Sequence, residues 1–349
     1  MAQKTEHIID GSQGEGGGQV LRTSLTLAMS TGSALRVENI RAGRSKPGLM
    51  RAHLAAVRAA AQVSGAELTG AEIGSTKIEF RPQAAAICGG TYRFAIGTAG
   101  STTLLLQTLL PVLAQARQPS LLLLAGGTHN TFAPSVDYIE RAFLPALTQM
   151  GLKVHSELLT YGFFPGGGGE WHVEIDPIEN WQPFNVHSRG RLKSRELVAS
   201  VANLPLKIAE RELAQAAKDI NLRKNEMVAR SVDSPGPGNI VSARFRFENT
   251  AVVFEERGAR GVSAERVADR LTHNVRQYFS HEEPIDEYLA DQLMLPMVLG
   301  AGGSYRTTAL TEHSRTNIAV IEQILGRSCF QLHEESSGVL VQVKGNQSP

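Results

Sequence analysis

The segment Thr311–Asn317, with the sequence TEHSRTN, combines hydroxyl, carboxylate, imidazole and guanidinium side chains. It follows a predicted strand at Tyr305–Leu310 and precedes an apolar helical pattern at Ile318–Ile324. A histidine at such a junction, here His313, lies near free backbone N–H groups of the helix, where a phosphate can bind. Its spacing alone favours a histidine that makes only local hydrogen bonds. The chemical interpretation therefore depends on neighbouring segments.

Carboxylates occur in two segments that could assist chemistry on a phosphate. A predicted helix opens at Glu287 and carries Asp291 and Gln292 in its first turns. Acidic residues suit the positive end of a helix dipole without any ligand, so this segment also has a purely structural explanation. Glu15 is the single carboxylate of the glycine-rich turn GSQGEGGG, where the backbone can approach a ligand closely. The alternative for Glu15 is an ordinary solvated turn residue.

A basic loop supplies the counter-charge that a phosphate would need. The segment Arg41–Gly48, RAGRSKPG, places three cations between a predicted strand and a predicted helix. Its two arginines, with a glycine between them, suit bidentate binding of a phosphate monoester. A charge run in a loop is more often a solvated surface, so both interpretations stay open.

Several common site motifs are absent from the sequence. The glycine-rich turn lacks the Gly-Lys-Ser/Thr ending of a P-loop, and Gln19 breaks the spacing typical of dinucleotide-binding turns. Ile8 stands where lysine-based nucleotidyl transferases carry their lysine before Asp-Gly. The ten histidines form no His-Glu-x-x-His or His-x-His pair, which argues against a dedicated zinc site.

The elements that must position these residues follow a repeating β-α-β-α-β-β order with a period of roughly 85 residues. The first copy is predicted at His7–Asp10, Gln19–Ser30, Leu35–Ile40, Leu49–Val63, Glu67–Ile73 and Lys77–Arg81. The second is predicted at Tyr92–Ile96, Thr102–Gln115, Ser120–Ala125, Ser135–Met150, Lys153–Leu159 and Glu170–Ile175. Short strands bounded by glycine or proline support this assignment.

The C-terminal end supplies a third copy that lacks only its opening strand, which is expected earlier in the chain. Its predicted elements are Glu287–Leu299, Tyr305–Leu310, Arg315–Leu325, Cys329–Glu334 and Val339–Lys344. The region before it has its own pattern, at Arg191–Ala202, Leu206–Ala217, Met227–Ser231, Asn239–Phe254 and Ala264–Tyr278. The predicted fold class is therefore α/β (α+β). A large three-repeat domain spans 1–184 and 284–349, and a small α/β domain at 185–283 is inserted in the third repeat.

Composition narrows the functional classes. A chain of 349 residues with ordinary apolar content is long enough for two domains. A formal net charge of +1 excludes the broad basic surface of a protein that coats nucleic acid. Two distant cysteines exclude a disulfide framework and favour a reducing compartment. No apolar stretch is long enough to span a membrane and the N-terminus has no signal-peptide pattern, so a cytoplasmic protein is expected.

Seven segments, taken in order, resemble the RNA 3′-terminal phosphate cyclase family. They are Gly14–Arg22, Arg41–Gly48, Gly97–Gln107, Phe164–Gly169, Gly236–Asn239, Tyr288–Gln292 and Thr311–Asn317. The similarity extends from about His7 to Val343, and chance agreement does not account for its order. The architecture of that family, three β-α-β-α-β-β units with a small inserted domain, is the one that the pattern of elements predicts independently.

The resemblance implies an ATP-dependent conversion of an RNA 3′-terminal phosphate into a 2′,3′-cyclic phosphodiester. It makes His313 the nucleophile that receives AMP, and Glu15 the ligand of a divalent cation, Mg²⁺ or Mn²⁺. The groups that it assigns to the RNA terminal phosphate are Arg22, Arg41 and Arg44. The residues that it places around ATP are Gln107, Pro134, Phe254, Tyr288, Leu289, Ala290, Asp291 and Gln292, with Phe254 facing the adenine. It also implies a homodimer.

Two other classes of protein remain as alternatives. Non-catalytic relatives that act in ribosome assembly share the fold but lack the histidine of the Thr-x-His motif, whereas His313 is present. Carboxyvinyl transferases use similar repeats, but their sequence features are missing here. Covalent AMP on the protein would separate the three classes.

One position departs from the cyclase pattern, because Ala52 stands where glutamine is frequent between the residues that match Arg51 and His53.

Overall fold

The computed structural model describes residues 6–83 and 87–346. The first repeat contains β1 Glu6–Asp10, α1 Gly18–Thr31, β2 Ala34–Glu38, α2 Arg51–Ser64, β3 Glu67–Thr69 and β4 Ile78–Arg81. The second contains β5 Gly90–Ala95, α3 Thr102–Leu113, β6 Ser120–Gly126, α4 Val136–Tyr138, a π-helical turn at Ile139–Phe143, α5 Leu144–Gln149, β7 Val154–Thr160 and β8 Gly169–Ile175.

The third repeat is interrupted by the insert. It opens with β9 Phe184–Val186, and the insert follows with β10 Leu192–Ala202, α6 Lys207–Ile220, a 3₁₀ turn at Lys224–Glu226, β11 Met227–Ser231, β12 Gly238–Phe247, β13 Ala251–Arg257 and α7 Ala264–Phe279. The repeat resumes with α8 Glu287–Leu299, β14 Gly302–Thr307, α9 Glu312–Leu325, β15 Phe330–Glu334 and β16 Val339–Lys344.

The three repeats share one sheet topology. Their strand orders are β1-β2-β4-β3, β5-β6-β8-β7 and β9-β14-β16-β15. In each sheet the first pair is parallel and the other two pairs are antiparallel. A parallel pair needs a crossover connection, which α1 and α3 supply in the first two repeats. In the third, the insert and α8 lie between the two parallel strands. The predicted fold class is confirmed.

The helices of different repeats pack against one another. Helix α1 contacts α2, α3 and α9, and α8 contacts α3 and α9. One hydrophobic core spans all three repeats, with Leu25, Phe80, Phe143, Trp171 and Tyr305 fully buried. The insert has a second core between its sheet, β11-β10-β12-β13, and helices α6 and α7. No helix within residues 6–83 and 87–346 is long and apolar enough to cross a membrane.

The structure shifts several predicted element boundaries. Helix α9 begins at Glu312 and not at Arg315, because Thr311 caps it. The predicted segment Asn239–Phe254 is two antiparallel strands, and the predicted helix Ser135–Met150 contains a π-helical turn. The expected opening strand of the third repeat is β9, which pairs in parallel with β14. The insert is predicted to span residues 185–283. Residue 185 lies within β9, and residue 283 lies in the connection between α7 and α8.

A buried ionic cluster joins the insert to the second repeat. Asp137 of α4 lies 2.9 Å from Arg244 of β12 and 3.5 Å from Arg230 of β11. The Asp137 carboxylate also contacts His129 Nε2, at 3.2 Å. Although burial alone would raise the pKa of Asp137, the His129 hydrogen bond and the two arginines lower it below its ordinary value. The cluster therefore fixes β12, and its neighbour β13, against the large domain.

Candidate active site

A cavity of about 1030 Å³ lies between the large domain and the insert. Helices α1, α3, α8 and α9 line one side, and β13 and α7 of the insert line the other. The predicted site residues that line it are Arg22, Gln107, Pro134, Phe254, Tyr288, Asp291, Gln292 and His313. Glu15, Arg41 and Arg44 belong to the loops next to this cavity and not to its lining.

Two residues of the predicted nucleotide set do not line the cavity. Leu289 and Ala290 are at most 1% exposed and belong to the core of the large domain. Because an α-helix turns once every 3.6 residues, five consecutive side chains cannot face one ligand. Tyr288, Asp291 and Gln292 reach the cavity from α8. The side chains of Tyr288, Asp291 and Gln292 are therefore the ones that can contact a ligand in the cavity, and the role of the whole run around the nucleotide stays a prediction.

The cap of α9 places His313 in the first turn of that helix. Thr311 has an extended backbone, and its hydroxyl accepts a hydrogen bond from Ser314 N at 3.1 Å. This is the usual arrangement of a helix N-cap. The His313 side chain is 50% exposed, so it remains accessible from the cavity.

Two side chains from the first repeat contact the His313 imidazole. Nδ1 lies 2.9 Å from Gln19 Oε1, and Nε2 lies 2.9 Å from Glu15 Oε2. The structure thus brings together His313 and Glu15, which the sequence predicted as separate site residues. It also adds Gln19, which sequence reasoning missed as a site residue. The signal for it was its place in the glycine-rich segment Gly14–Arg22.

The N-terminal ends of α1 and α9 lie side by side. One helical turn beyond Gln19 and His313, Thr23 Oγ1 donates to Asn317 Oδ1 at 2.7 Å. The two helices therefore run in the same direction along this contact. The N-cap residue of α1 is Gly17, and no N-cap side chain accepts a hydrogen bond from the first N–H groups of this helix. The first N–H groups of α1 are thus available to an anion, as is common at helix N-termini.

Asp291 and Arg22 are half-buried and form the electrostatic centre of the site. Gln19 Nε2 donates to Asp291 Oδ2 at 3.1 Å. Burial raises the pKa of Asp291 to about 7, against the opposing effects of the Gln19 hydrogen bond and the Arg22 charge. Burial lowers the pKa of Arg22 to about 10, which still leaves the guanidinium charged near neutral pH. Arg22 therefore presents a permanent cation to the cavity.

Glu15 and Arg44 connect the glycine-rich turn to the basic loop. Arg44 donates to Glu15 O at 3.0 Å and lies 3.8 Å from Glu15 Oε2. Glu15 N donates to the Thr316 hydroxyl of α9 at 3.3 Å. Gly14 permits this approach, because its φ is +57° and a Cβ there would overlap Thr316. The turn is thereby held where its carboxylate faces His313.

Arg41 occupies a different environment from Arg44. Its backbone is in the left-handed region, with φ of 54°. Its guanidinium donates to Lys46 O at 2.7 Å and to Gly48 O at 2.9 Å. These bonds fold the basic loop on itself. Arg41 therefore shapes the loop that presents Arg44.

His53 is a second residue that the sequence did not assign to the site. Its Nδ1 accepts a hydrogen bond from Met50 N at 3.2 Å, so its proton is on Nε2. Burial, Arg22 and Arg41 lower the pKa of His53 to about 3, so it is neutral near pH 7. A Cβ at Gly18 would overlap both His53 Nε2 and the Arg22 guanidinium. His53 and Arg22 thus converge on the N-terminus of α1.

Other residues of the cavity lining offer flat apolar surfaces and amide groups. Tyr288 is 63% exposed, and Phe254 and Pro134 are half-buried in the lining. Gln107 Nε2 donates to Gln292 Oε1, which links α3 to α8. Such a surface suits a planar nucleobase, whereas the cation of Arg22 suits phosphate.

Comparison with known proteins shows the family to which the chain belongs. A sequence model of the RNA 3′-terminal phosphate cyclase family matches residues 13–330. The protein named RNA 3′-terminal phosphate cyclase from Pseudomonas fluorescens is 49% identical over 311 residues, which are 89% of this chain and 90% of the relative. Proteins of the same name from Ectopseudomonas mendocina and Koribacter versatilis are 45% and 44% identical. Their matches cover 91% and 95% of this chain, and 94% and 92% of those relatives. The chain belongs to the RNA 3′-terminal phosphate cyclase family.

Proposed function

We propose that this protein uses ATP to convert an RNA 3′-terminal phosphate into a 2′,3′-cyclic phosphodiester, with AMP carried transiently on His313. The observation that carries the proposal is the imidazole of His313. It projects into a large cavity, contacts a carboxylate and an amide, and lies beside the uncapped N-terminus of α1. The name shared by the relatives supports the class of substrate.

In the first step, His313 Nε2 attacks the α-phosphorus of ATP. A nitrogen–phosphorus bond forms, the bond between the α-phosphorus and its bridging oxygen breaks, and pyrophosphate leaves. The free N–H groups of α1 are suited to binding the negative charge of the phosphates. The charged guanidinium of Arg22 lines the same cavity and stays the predicted ligand of the RNA terminal phosphate. Pro134, Phe254 and Tyr288 are suited to hold the adenine.

In the second step, a 3′-phosphate oxygen of the RNA attacks the phosphorus of the bound AMP and releases the imidazole. The RNA end now carries a phosphoanhydride to AMP. In the third step, the neighbouring 2′-hydroxyl oxygen attacks the RNA phosphorus and loses its proton to solvent. The anhydride bond breaks, AMP leaves, and the cyclic phosphodiester remains. Each step therefore exchanges one bond at phosphorus for another.

A divalent cation is part of the proposal, with Glu15 as its protein ligand. Among residues 6–83 and 87–346, no group of three His, Cys, Asp or Glu side chains could hold a metal by itself. Mg²⁺ is commonly bound by one or two carboxylates together with water and substrate phosphates. A lone carboxylate facing His313 fits that arrangement. The cation would neutralise charge on the phosphates.

Replacing Glu15 with alanine is expected to slow adenylylation of His313 by roughly ten- to hundredfold, since a charge-assisted contact is lost. Higher cation concentration should recover part of the rate. The measurement is the adenylylation rate as a function of Mg²⁺ or Mn²⁺ concentration. Glu38→Ala, a change at a half-buried acid of β2 that pairs with Lys77, is the control. An unchanged cation dependence in Glu15→Ala would return Glu15 to the role of a turn residue.

Replacing Arg44 with alanine is expected to impair the RNA steps selectively. The lost contact is worth about 1.5–3 kcal/mol, or roughly ten- to hundredfold in the transfer of AMP to RNA, while adenylylation stays near normal. Lysine should rescue only in part, because it lacks the planar fork of arginine. Arg41→Ala should slow the same steps, because Arg41 is also proposed to hold the RNA terminal phosphate and because its bonds to Lys46 O and Gly48 O fold the loop. Arg58→Ala, on the exposed face of α2, is the control. Normal transfer by Arg44→Ala would place the RNA phosphate elsewhere.

The overall activity is tested with an oligonucleotide that ends in a 3′-phosphate. Incubation with ATP and a divalent cation is expected to make that end resistant to phosphatase, with release of AMP and pyrophosphate. An oligonucleotide with a 3′-hydroxyl is the control and should not change. Failure to cyclise, with no AMP attached to the protein, would favour the non-catalytic alternative.

Location and assembly complete the proposal. Cys88 and Cys329 are free thiols, which suits a reducing compartment such as the cytoplasm. The homodimer implied by the family resemblance is proposed as the assembly in solution. Sedimentation of the purified protein measures it.

A further inference from the structure

Phe132 is an aromatic residue that the chain keeps out of the core. Its side chain is 99% exposed, although it lines the cavity between the large domain and the insert. Its backbone is in the left-handed region, with φ of 65°. A bulky residue seldom adopts that conformation, because its Cβ crowds the neighbouring carbonyl group. The exposed ring and the strained backbone together point to a role in binding.

The loop that carries Phe132 is fixed by both domains. From the large domain, Thr103 Oγ1 of α3 donates to Pro134 O at 2.7 Å. From the insert, Arg257 of β13 donates to Ala133 O at 3.2 Å. These two hydrogen bonds hold the backbone next to Phe132, so that the surroundings maintain its strained conformation. The ring is therefore held beside the cavity before a ligand binds.

The same loop is connected to the element that follows the basic loop. Asn130 Nδ2 donates to Ala99 O, which ties the Phe132 loop to the segment before α3. The next residue of that segment, Gly100, lies against α2, because a Cβ at Gly100 would be 3.0 Å from the Ala52 Cβ. Ala52 belongs to the first turn of α2, which begins just after the basic loop. Phe132 is thus linked to the side of the site where the RNA terminal phosphate is proposed to bind.

The adenine of ATP does not require Phe132. A planar base has two faces, and the cavity lining offers Pro134, Phe254 and Tyr288 to cover them. The second substrate is RNA, whose terminal nucleoside must come to the cavity for its 3′-phosphate to reach AMP on His313. Exposed aromatic rings bind single-stranded RNA by stacking on its unpaired bases, each of which has a π-face.

We propose that Phe132 stacks on the terminal nucleobase of the RNA and positions that end for the transfer of AMP. The ring supplies affinity for a base of any kind, whereas the arginines of the site bind the phosphate. The protein then recognises the terminal nucleoside as well as its phosphate. This inference rests on the proposed function, because it concerns the RNA substrate of the same site.

The test compares Phe132→Leu, which keeps an apolar side chain without a ring, with Phe132→Trp, which keeps an aromatic one. Phe132→Leu is expected to raise the RNA concentration at half-maximal AMP transfer about five- to hundredfold, as is typical of losing one stacked base. Phe132→Trp should transfer AMP at least as well as the unmodified protein. The KM for ATP in adenylylation should change in neither variant. The control is Ile73→Ala, at an exposed apolar residue outside the cavity lining.

A change in the RNA identifies the group that the ring contacts. Two labelled oligonucleotides with a 3′-phosphate are compared, one ending in uridine and the other in dihydrouridine, whose saturated base is neither planar nor aromatic. Their binding to the protein is measured without ATP, so that the result does not depend on turnover. The unmodified protein should bind the uridine end more tightly, and Phe132→Leu should bind the two ends equally.

Three results decide the matter. If Phe132→Leu binds RNA as the unmodified protein does, or loses affinity for both ends by the same factor, the stacking contact is refuted. A raised KM for ATP with unchanged RNA binding would also refute it and would assign the ring to the adenine. If Phe132→Leu loses only the preference for uridine, but even the unmodified protein is never adenylylated, the stacking contact stands and the proposed function falls.

Discussion

Protein carrying asparagine in place of His313 is expected to form no covalent adduct with AMP. Asparagine keeps a polar side chain of similar size but has no nucleophilic ring nitrogen. Removal of a nucleophile usually costs several orders of magnitude, so we expect adenylylation to fall on the order of 10⁴-fold or more. The measurement is incubation with ATP labelled at its α-phosphate, followed by denaturation and counting of label on the protein. A bond from AMP to histidine should be labile in acid and stable in base.

The control for this variant is His187→Asn. His187 directly follows β9, is exposed, and contacts Ser304 through Nε2 at 2.7 Å; neither residue lines the cavity. The His187→Asn variant should acquire labelled AMP to the same extent as the unmodified protein. Label that persists in His313→Asn would assign the nucleophile to another residue.

Replacement of Asp137 by alanine is expected to have the largest effect on stability. It would leave the buried Arg244 and its neighbour Arg230 without their shared carboxylate, so that Arg244 keeps only its pair with Glu196, whose side chain is largely exposed. Removing one partner of a buried ion pair typically costs 3–5 kcal/mol, so we expect a loss of about that size in the free energy of unfolding. Urea unfolding followed by circular dichroism measures it. Because the insert supplies Phe254 to the cavity, affinity for ATP should also fall.

The pH dependence of this loss follows from the lowered pKa of Asp137. A carboxylate with a depressed folded-state pKa stabilises the fold above its unfolded pKa of about 3.9, and that contribution disappears as pH falls through the folded value. The difference between the two proteins should therefore be constant near neutral pH and shrink in acid. Glu265→Ala, which breaks an exposed pair with Arg211, is the control and should cost much less. An equal loss of unfolding free energy in Asp137→Ala and Glu265→Ala would contradict the role of the Asp137 cluster in holding the insert against the large domain.

The repeats could be predicted from the sequence because their strands and helices carry the necessary periodicity. Strand β6 alternates buried and partly exposed residues along Ser120–Gly126, and the predicted strand at Ser120–Ala125 matches it closely. Strand β9 could not be placed from pattern, since Phe184–Val186 is too short to show a period. The π-helical turn at Ile139–Phe143 could not be predicted either, because its apolar spacing is compatible with an ordinary helix.

The types of residue in the site could be predicted from the sequence, but their arrangement in space could not. His313 and Glu15 stand in recognisable segments, whereas the role of Gln19 depends on α1 packing alongside α9 over a sequence separation of 294 residues. Tertiary packing decides such contacts, and local spacing does not. Arg41 illustrates the opposite case. Its charge and neighbours predict a phosphate ligand, and pattern does not show that one of its guanidinium nitrogens also donates to two carbonyl groups of its own loop. The phosphate contact stays a prediction.

The most direct test of the central proposal is a single-turnover chase. Protein labelled with AMP is freed of ATP and mixed with an oligonucleotide that ends in a 3′-phosphate. We expect label to leave His313 and appear as free AMP, while an equivalent amount of oligonucleotide acquires a 2′,3′-cyclic end. Retention of the label on the protein, or cyclic ends that form only when fresh ATP is added, would contradict the proposal that AMP on His313 lies on the reaction path.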